Sequence, residues 1–208
     1  DDGVVPRRPD AACMNDPATL PARVEERLHW TRACLADETL VLERASVDAG
    51  MRSYWRARGR HGTHVVMDSP PGLEDVRPWL RMRSLLADHG LRVPHVLAQA
   101  TDAGFLLLED LGGPTLAKVI DTHTADAWFE RAMTQLLLLQ RIDVPEGFGS
   151  FGPALFQRDA GLFDDWFLQR HLGVFLEAGE AARLDAVQQQ LMHNALGQAQ
   201  VLTHRDFM

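Results

Sequence analysis

The chain has 208 residues, 46% of them hydrophobic, and a formal net charge of −8. That supports a real core in one large domain or two small lobes. The acidic balance excludes a broad nucleic-acid or anionic-membrane surface, so an anionic ligand needs a local basic pocket. Every basic residue except Lys118 is an arginine. Cys13 and Cys34 form neither a metal spacing nor a disulfide framework, which makes a reducing cytoplasm the default. No apolar run is long enough to span a membrane, and the first residues lack the apolar stretch of a signal peptide. Met14 reads as a natural start, leaving residues 1–13 as an extension or tail.

Residues 21–37 predict a helix, with Pro21 in its first turn and Val24, Leu28, Thr31 and Leu35 on one face. Three short strands follow at 39–46, 52–59 and 63–69, joined by tight turns as an antiparallel meander. A helix then opens near Asp75 and Pro78 and stops at Gly90. Residues 93–100 and 104–110 predict two more strands. After Gly112-Gly113-Pro114 the character turns helical: a short element at TLAKVIDT, then long helices from Thr124, from Arg158 and from Gly179. AQVLT (199–203) reads as a short strand. The expected fold class is α+β and bilobal. A five-stranded antiparallel first lobe spans 14–110, and a partial helical lobe spans 111–208.

The chain closes on VLTHRDFM. His204-Arg205-Asp206 is the tripeptide that protein-kinase-like enzymes place in their catalytic loop, where the Asp takes the acceptor's proton. A lone HRD is weak, and a polar surface turn is its alternative. Here it follows a sheet with one inserted helix and then a helical half, which is the kinase order.

Two departures bear on the phosphate site. At Val65-Val66-Met67-Asp68 an Asp stands where kinases carry the V-A-I-K lysine, and the helix body from Val76 to Leu86 has no carboxylate to pair with one. Period-two alternation puts Arg52, Tyr54, Arg56 and Arg58 on one strand face. A guanidinium fork suits phosphate oxygens, so Arg52 is the first candidate and Arg56 the second. The alternative is a solvated hairpin edge, the reading preferred for Arg58. Asp68 and Arg81 are a candidate reversed pair.

The stretches ASVDAGMRSYWR (45–56), VVMDSPP (65–71), VRPWLRMRSLLADHGLRVP (76–94), GFLLLEDLG (104–112), LFDDWFLQRHLG (162–173) and LTHRDFM (202–208) together resemble the aminoglycoside phosphotransferase superfamily. Within it they are most similar to the bacterial kinases of the anomeric hydroxyl of N-acetylmuramate and N-acetylglucosamine. The resemblance implies a cytoplasmic enzyme using ATP and Mg²⁺ on a small sugar, in cell-wall recycling, with no nucleic-acid or membrane partner. It implies nucleotide contacts from Ser46, Gly50, Arg52, Arg56, Val66, Glu109 and Leu111. It implies sugar contacts from Arg158, Asp159, Asp165 and Trp166, although for these the solvated side of an amphipathic helix remains open. Asp206 is the implied base, with His204 and Arg205 supporting its loop. In H-R-D-x-x-x-x-N the metal-binding Asn comes five residues after the Asp, so the metal ligands are expected beyond Met208 and the chain reads as part of a longer kinase.

Overall fold

A computed structural model describes residues 20–46 and 52–207. The turn expected to replace a glycine-rich loop, Gly50 included, lies outside the described residues, as do residues 1–19. The chain falls into two compact units, up to Met133 and from Thr134.

In the first unit, helix α1 (Pro21–Leu35) precedes strands β1 (Val41–Ser46), β2 (Ser53–Gly59) and β3 (Gly62–Asp68). Helix α2 (Arg77–Asp88) and strands β4 (Val96–Ala100) and β5 (Phe105–Glu109) follow, then short α3 (Leu116–Val119) and α4 (Ala125–Gln140). The sheet is antiparallel throughout, in the order β1-β2-β3-β5-β4. Residue rows run across it: Arg56 pairs with Val65, Val65 with Leu108 and Leu108 with Val96. The expected α+β lobe with a helix inserted after the third strand is therefore present.

Alternation along the strands divides the core in two. Leu40, Ala57, Val66 and Leu107 are buried on the α1 face, with Leu28, Trp30 and Leu35 packed against them. Met67, Val76, Leu106 and Leu108 are buried on the α2 face, with Tyr54, Val65, Trp79 and Leu80. Cover on both faces explains why β5 is the unbroken apolar run Phe105-Leu-Leu-Leu108. Each side chain of this size contributes roughly 1.5–3 kcal/mol when fully buried.

The α1 face brings a correction. The buried α1 residues are Arg23, Arg27 and Thr31, while Val24 is exposed. The reason lies in Asp68, which is fully buried. Arg27 Nη1 donates to Asp68 Oδ2 at 2.7 Å, and Arg23 donates to Oδ1 through Nε at 3.0 Å and Nη2 at 2.7 Å. The guanidinium carbons of Arg23 and Arg27 lie 3.9 Å and 3.7 Å over the Phe105 and Trp55 rings. The expected Asp68–Arg81 pair is absent because Asp68 points to α1, whereas α2 packs on the opposite face.

Helix α2 ends as its glycine predicts. Gly90 has φ of +81°, Leu91 N–H reaches the Leu86 carbonyl and Gly90 N–H reaches that of Ala87, the two bonds of a Schellman cap. At its start, the Asp75 carboxylate accepts the Arg77 N–H at 3.0 Å.

The second unit holds the end of α4, then α5 (Pro153–Leu162), a π-helix (Phe163–His171) and α6 (Ala178–Leu196). The sequence pattern suggested one continuous helix from Arg158. The π turn is seen where Leu172 N–H donates to the Phe167 carbonyl five residues back, and over nine residues an apolar pattern does not separate the two helical periods. The strand expected at 199–203 is also absent. That segment has no ladder partner among the described residues, although Leu202 is buried.

Candidate active site

The α2 face of the sheet carries the arginines. Tyr54 belongs to the α2-side core and Ala57 to the α1-side core, so Arg56 stands on the α2 face in the row of Val65 and Leu108. Arg52, just before β2, reaches the same side: its Nη2 is ion-paired with the Glu74 carboxylate in the loop before α2. Its Nε is buried and has no hydrogen-bond partner. The side chain as a whole is 24% exposed, and a guanidinium suits an anionic oxygen. Arg58 instead pairs with Glu43 at 2.8 Å, both exposed, as a solvated hairpin edge.

Two of the expected nucleotide contacts are corrected. Val66 is fully buried under α1 with Leu40, Ala57 and Leu107, so it cannot line a pocket on the α2 face. That face is offered by its neighbours Val65 and Met67. Arg56 has Nε 2.7 Å and Nη2 3.2 Å from the Asp110 carboxylate, so its fork is occupied. It fixes the segment leaving β5, and the Asp110 carboxyl is held below its ordinary range by Arg56 and then by the Gly112 N–H. Ser46 ends β1 opposite Tyr54.

At the sheet exit, Glu109 N–H donates to the His95 carbonyl at 2.9 Å, so that donor is not available to a ligand. The Glu109 carboxylate accepts from Arg92 Nη1 at 3.0 Å and from the His95 N–H at 3.1 Å. These contacts, Arg92 first, lower its pKa to about 2. Leu111 is exposed.

A cavity of about 400 Å³ lies beside the Ser69–Glu74 loop, lined by Glu74, Asp75, Arg77 and Asp102 among others. Three carboxylates against one arginine in this lining disfavour a phosphate chain.

In the second unit the predicted residues divide. Arg158 donates through Nε and Nη2 to Asp159 Oδ1 at 2.9 Å and 2.7 Å. Arg205 Nη2 lies 3.7 Å from Asp159 Oδ2, which joins the HRD segment to two of the expected sugar contacts. Arg205 has φ of +69°, a left-handed conformation that costs a non-glycine residue of order 1–3 kcal/mol and concentrates at functional sites. Asp206 is exposed, and its N–H donates to His204 Nδ1 at 3.3 Å. Trp166 is exposed and stacks with the Arg170 guanidinium at 4.1 Å. Among the described residues no hydrogen bond or ion pair links Asp165 or Trp166 to the Asp159 cluster. Its neighbour Asp164, in the same stretch that the resemblance places along the sugar pocket, has a buried Oδ1 without a partner.

Among the described residues, no group of three or more His, Cys, Asp or Glu side chains could hold a metal ion, and no helix is long and apolar enough to cross a membrane. Residues 41–208 match the phosphotransferase enzyme family. The chain belongs to this family. Curated relatives of the chain carry the name N-acetylmuramate/N-acetylglucosamine kinase. One from Pseudomonas aeruginosa is 40% identical over 198 residues, covering 90% of this chain and 58% of the relative. One from Pseudomonas putida is 39% identical over 167 residues, covering 80% and 49%. One from Neisseria meningitidis is 29% identical over 185 residues, covering 86% and 55%. The chain thus spans about half the length of these relatives.

Proposed function

We infer that the phosphotransferase moves the γ-phosphoryl group of ATP to the anomeric hydroxyl of an amino sugar of the N-acetylmuramate or N-acetylglucosamine type. The setting is the cytoplasm, in the reuse of cell-wall sugars. The observation that carries this reading is the contact of Arg205 with Asp159. It ties the base-bearing loop to the segment that the family resemblance assigns to the sugar, and the names of the relatives supply the sugar class.

The residues divide the work by chemistry. Asp206 is exposed and accepts the acceptor hydroxyl's hydrogen bond. It takes the proton as the new oxygen–phosphorus bond forms and the bond to ADP breaks. His204 and Arg205 hold its loop. Asp159, in contact with two arginines, turns its carboxylate to sugar hydroxyls. Arg52 takes a donor phosphate oxygen, and the exposed Leu111 meets the adenine. Mg²⁺, when bound with ATP, neutralises phosphate charge. The described residues offer no group of side chains that fits such an ion.

Product analysis of the full-length protein tests this. Phosphorus and proton NMR of reactions with N-acetylmuramate and N-acetylglucosamine should show a sugar 1-phosphate. A 6-phosphate would overturn the anomeric assignment. Turnover of aminoglycoside or choline controls alone would move the protein to another substrate class.

A further inference from the structure

Kinases orient their phosphate-binding lysine with a glutamate on the following helix. Both halves are absent from those positions here: β3 ends in Asp68, which faces α1, and α2 carries no carboxylate before Asp88. We propose that the pair has been relocated, and that Glu74 is the positioning residue that aims Arg52 at the nucleotide phosphates. The inference rests on the reading that Arg52 meets the donor phosphates.

Three observations support it. Glu74 is the carboxylate bound to Arg52 Nη2, while the Arg52 Nε is buried without a partner. The guanidinium is therefore held through Nη2, while the side chain keeps 24% exposure for an approaching anion. Glu74 is itself fixed through its backbone, because its carbonyl accepts the Ser69 hydroxyl at 2.7 Å. Ser69 in turn is anchored by its N–H to the Gly104 carbonyl at 2.9 Å, and its neighbour Asp68 is gripped by Arg23 and Arg27. A flexible arginine gains affinity for phosphate when its rotamer is fixed before binding. A carboxylate at Nη2 fixes it while part of the side chain stays exposed. The helix-borne glutamate of ordinary kinases is replaced by one on a loop pinned to the sheet's far end.

The test is a double-mutant cycle in the full-length protein, with KM for ATP, KM for the sugar, kcat and thermal midpoint measured for Glu74→Gln, Arg52→Ala and the double variant. Glu74→Gln keeps the volume and removes the charge. It should raise KM for ATP about tenfold, as expected for loss of one charge-assisted contact, with KM for the sugar and the thermal midpoint nearly unchanged. Glu74→Asp should recover part of the loss. In the Arg52→Ala background Glu74→Gln should have no further effect, since residues acting through one another are non-additive. Additive losses, or a fall in thermal midpoint with KM for ATP unchanged, would overturn the positioning role while leaving Arg52 at the phosphates. An Arg52→Ala variant with normal KM for ATP and normal kcat would remove the phosphate reading and this inference with it.

Discussion

Asp68 and Arg27 meet at 2.7 Å where neither side chain touches solvent. Arg23 closes the other carboxylate oxygen at 2.7 Å. Burial pushes the Arg27 pKa down while the Asp68 hydrogen bond and charge pull it up. Removing the shared anion strands two guanidinium groups against a sheet. Asp68→Ala should therefore cost about 3–5 kcal/mol, the range for breaking a buried pair from one side. Asp68→Lys, which restores the residue type usual in kinases, should be no better, because it adds a third cation. Urea denaturation followed by tryptophan fluorescence reads this directly. A loss below about 1 kcal/mol would show that α1 is held by Trp30, Leu28 and Leu35 alone.

Gly104→Ala should also destabilise the first unit. Gly104 has φ of +74°, and a Cβ there would overlap the Ser69 carbonyl oxygen, which is backbone and cannot swing aside. The Ser69–Gly104 hydrogen bond would have to lengthen. Strain and lost bond together put the cost at about 2–4 kcal/mol. The same change at Gly72, also at positive φ but with nothing near its Cβ, should cost about 1 kcal/mol from backbone strain alone. Equal costs at the two sites would mean that the Ser69 contact is immaterial.

Acid stability has a definite sign. Glu109 is held near pKa 2 by Arg92 and the His95 N–H. Asp37 is held below its usual range by Thr39 and the Arg60 N–H, and Asp110 by Arg56. Each folded pKa lies below the unfolded one, so this stabilisation is complete above about pH 4.5 and is lost as the pH falls toward 2. Stability measured by denaturant should fall through that window. Glu109→Gln should flatten the slope there while lowering stability at pH 7. An unchanged slope would mean that Arg92 does not hold Glu109 in solution.

Much of the first unit was legible before any coordinates. Short alternating runs bounded by Asp48-Ala-Gly50 and Gly59–Gly62 marked the meander, and Gly90 marked the end of α2. GFLLLED (104–110) marked a strand, though not its inner place in the sheet. Long-range polar partners were not legible. Nothing in the order of residues links Asp68 to Arg27, 41 positions away, and pattern reading assigns arginines to solvent. Glu74 is not legible as a partner because it stands two residues before Val76, outside the helix body. Arg56 was correctly placed on the Arg52 face, but its occupation by Asp110 depends on the β2–β3–β5 register. The π-helix was missed because its period differs too little from 3.6 over nine residues.

The two arginines of β2 should separate in stability. Arg56 covers Asp110, whose side chain is only 5% exposed, whereas Arg58 and Glu43 are both about half exposed. Arg56→Ala leaves a mostly buried carboxylate short of its main donor and should cost about 1–3 kcal/mol. Arg58→Ala should cost less than about 1 kcal/mol. Thermal unfolding of the two variants side by side measures the difference. Matching midpoints would show that Asp110 finds its donors in Gly112 and Thr63 without Arg56.

Asp206→Asn should abolish sugar phosphorylation in the full-length protein while leaving the fold intact. Asn keeps the volume but cannot take the hydroxyl proton, and positioning and base catalysis together supply about 10²–10⁴-fold. Asp206 is exposed, so its replacement should change stability by no more than about 0.5 kcal/mol. The Asp206 N–H to His204 Nδ1 contact uses the backbone and survives the change. Nucleotide affinity, measured by calorimetry, should stay within about threefold of the parent, as expected of a carboxylate proposed to act on the acceptor rather than the donor. Arg205→Ala should behave differently. It removes the tether to Asp159 and should raise KM for the sugar as well as lower kcat. If Asp206→Asn retained full turnover, His204-Arg205-Asp206 would be a surface turn after all, and the base would have to be sought elsewhere in the protein.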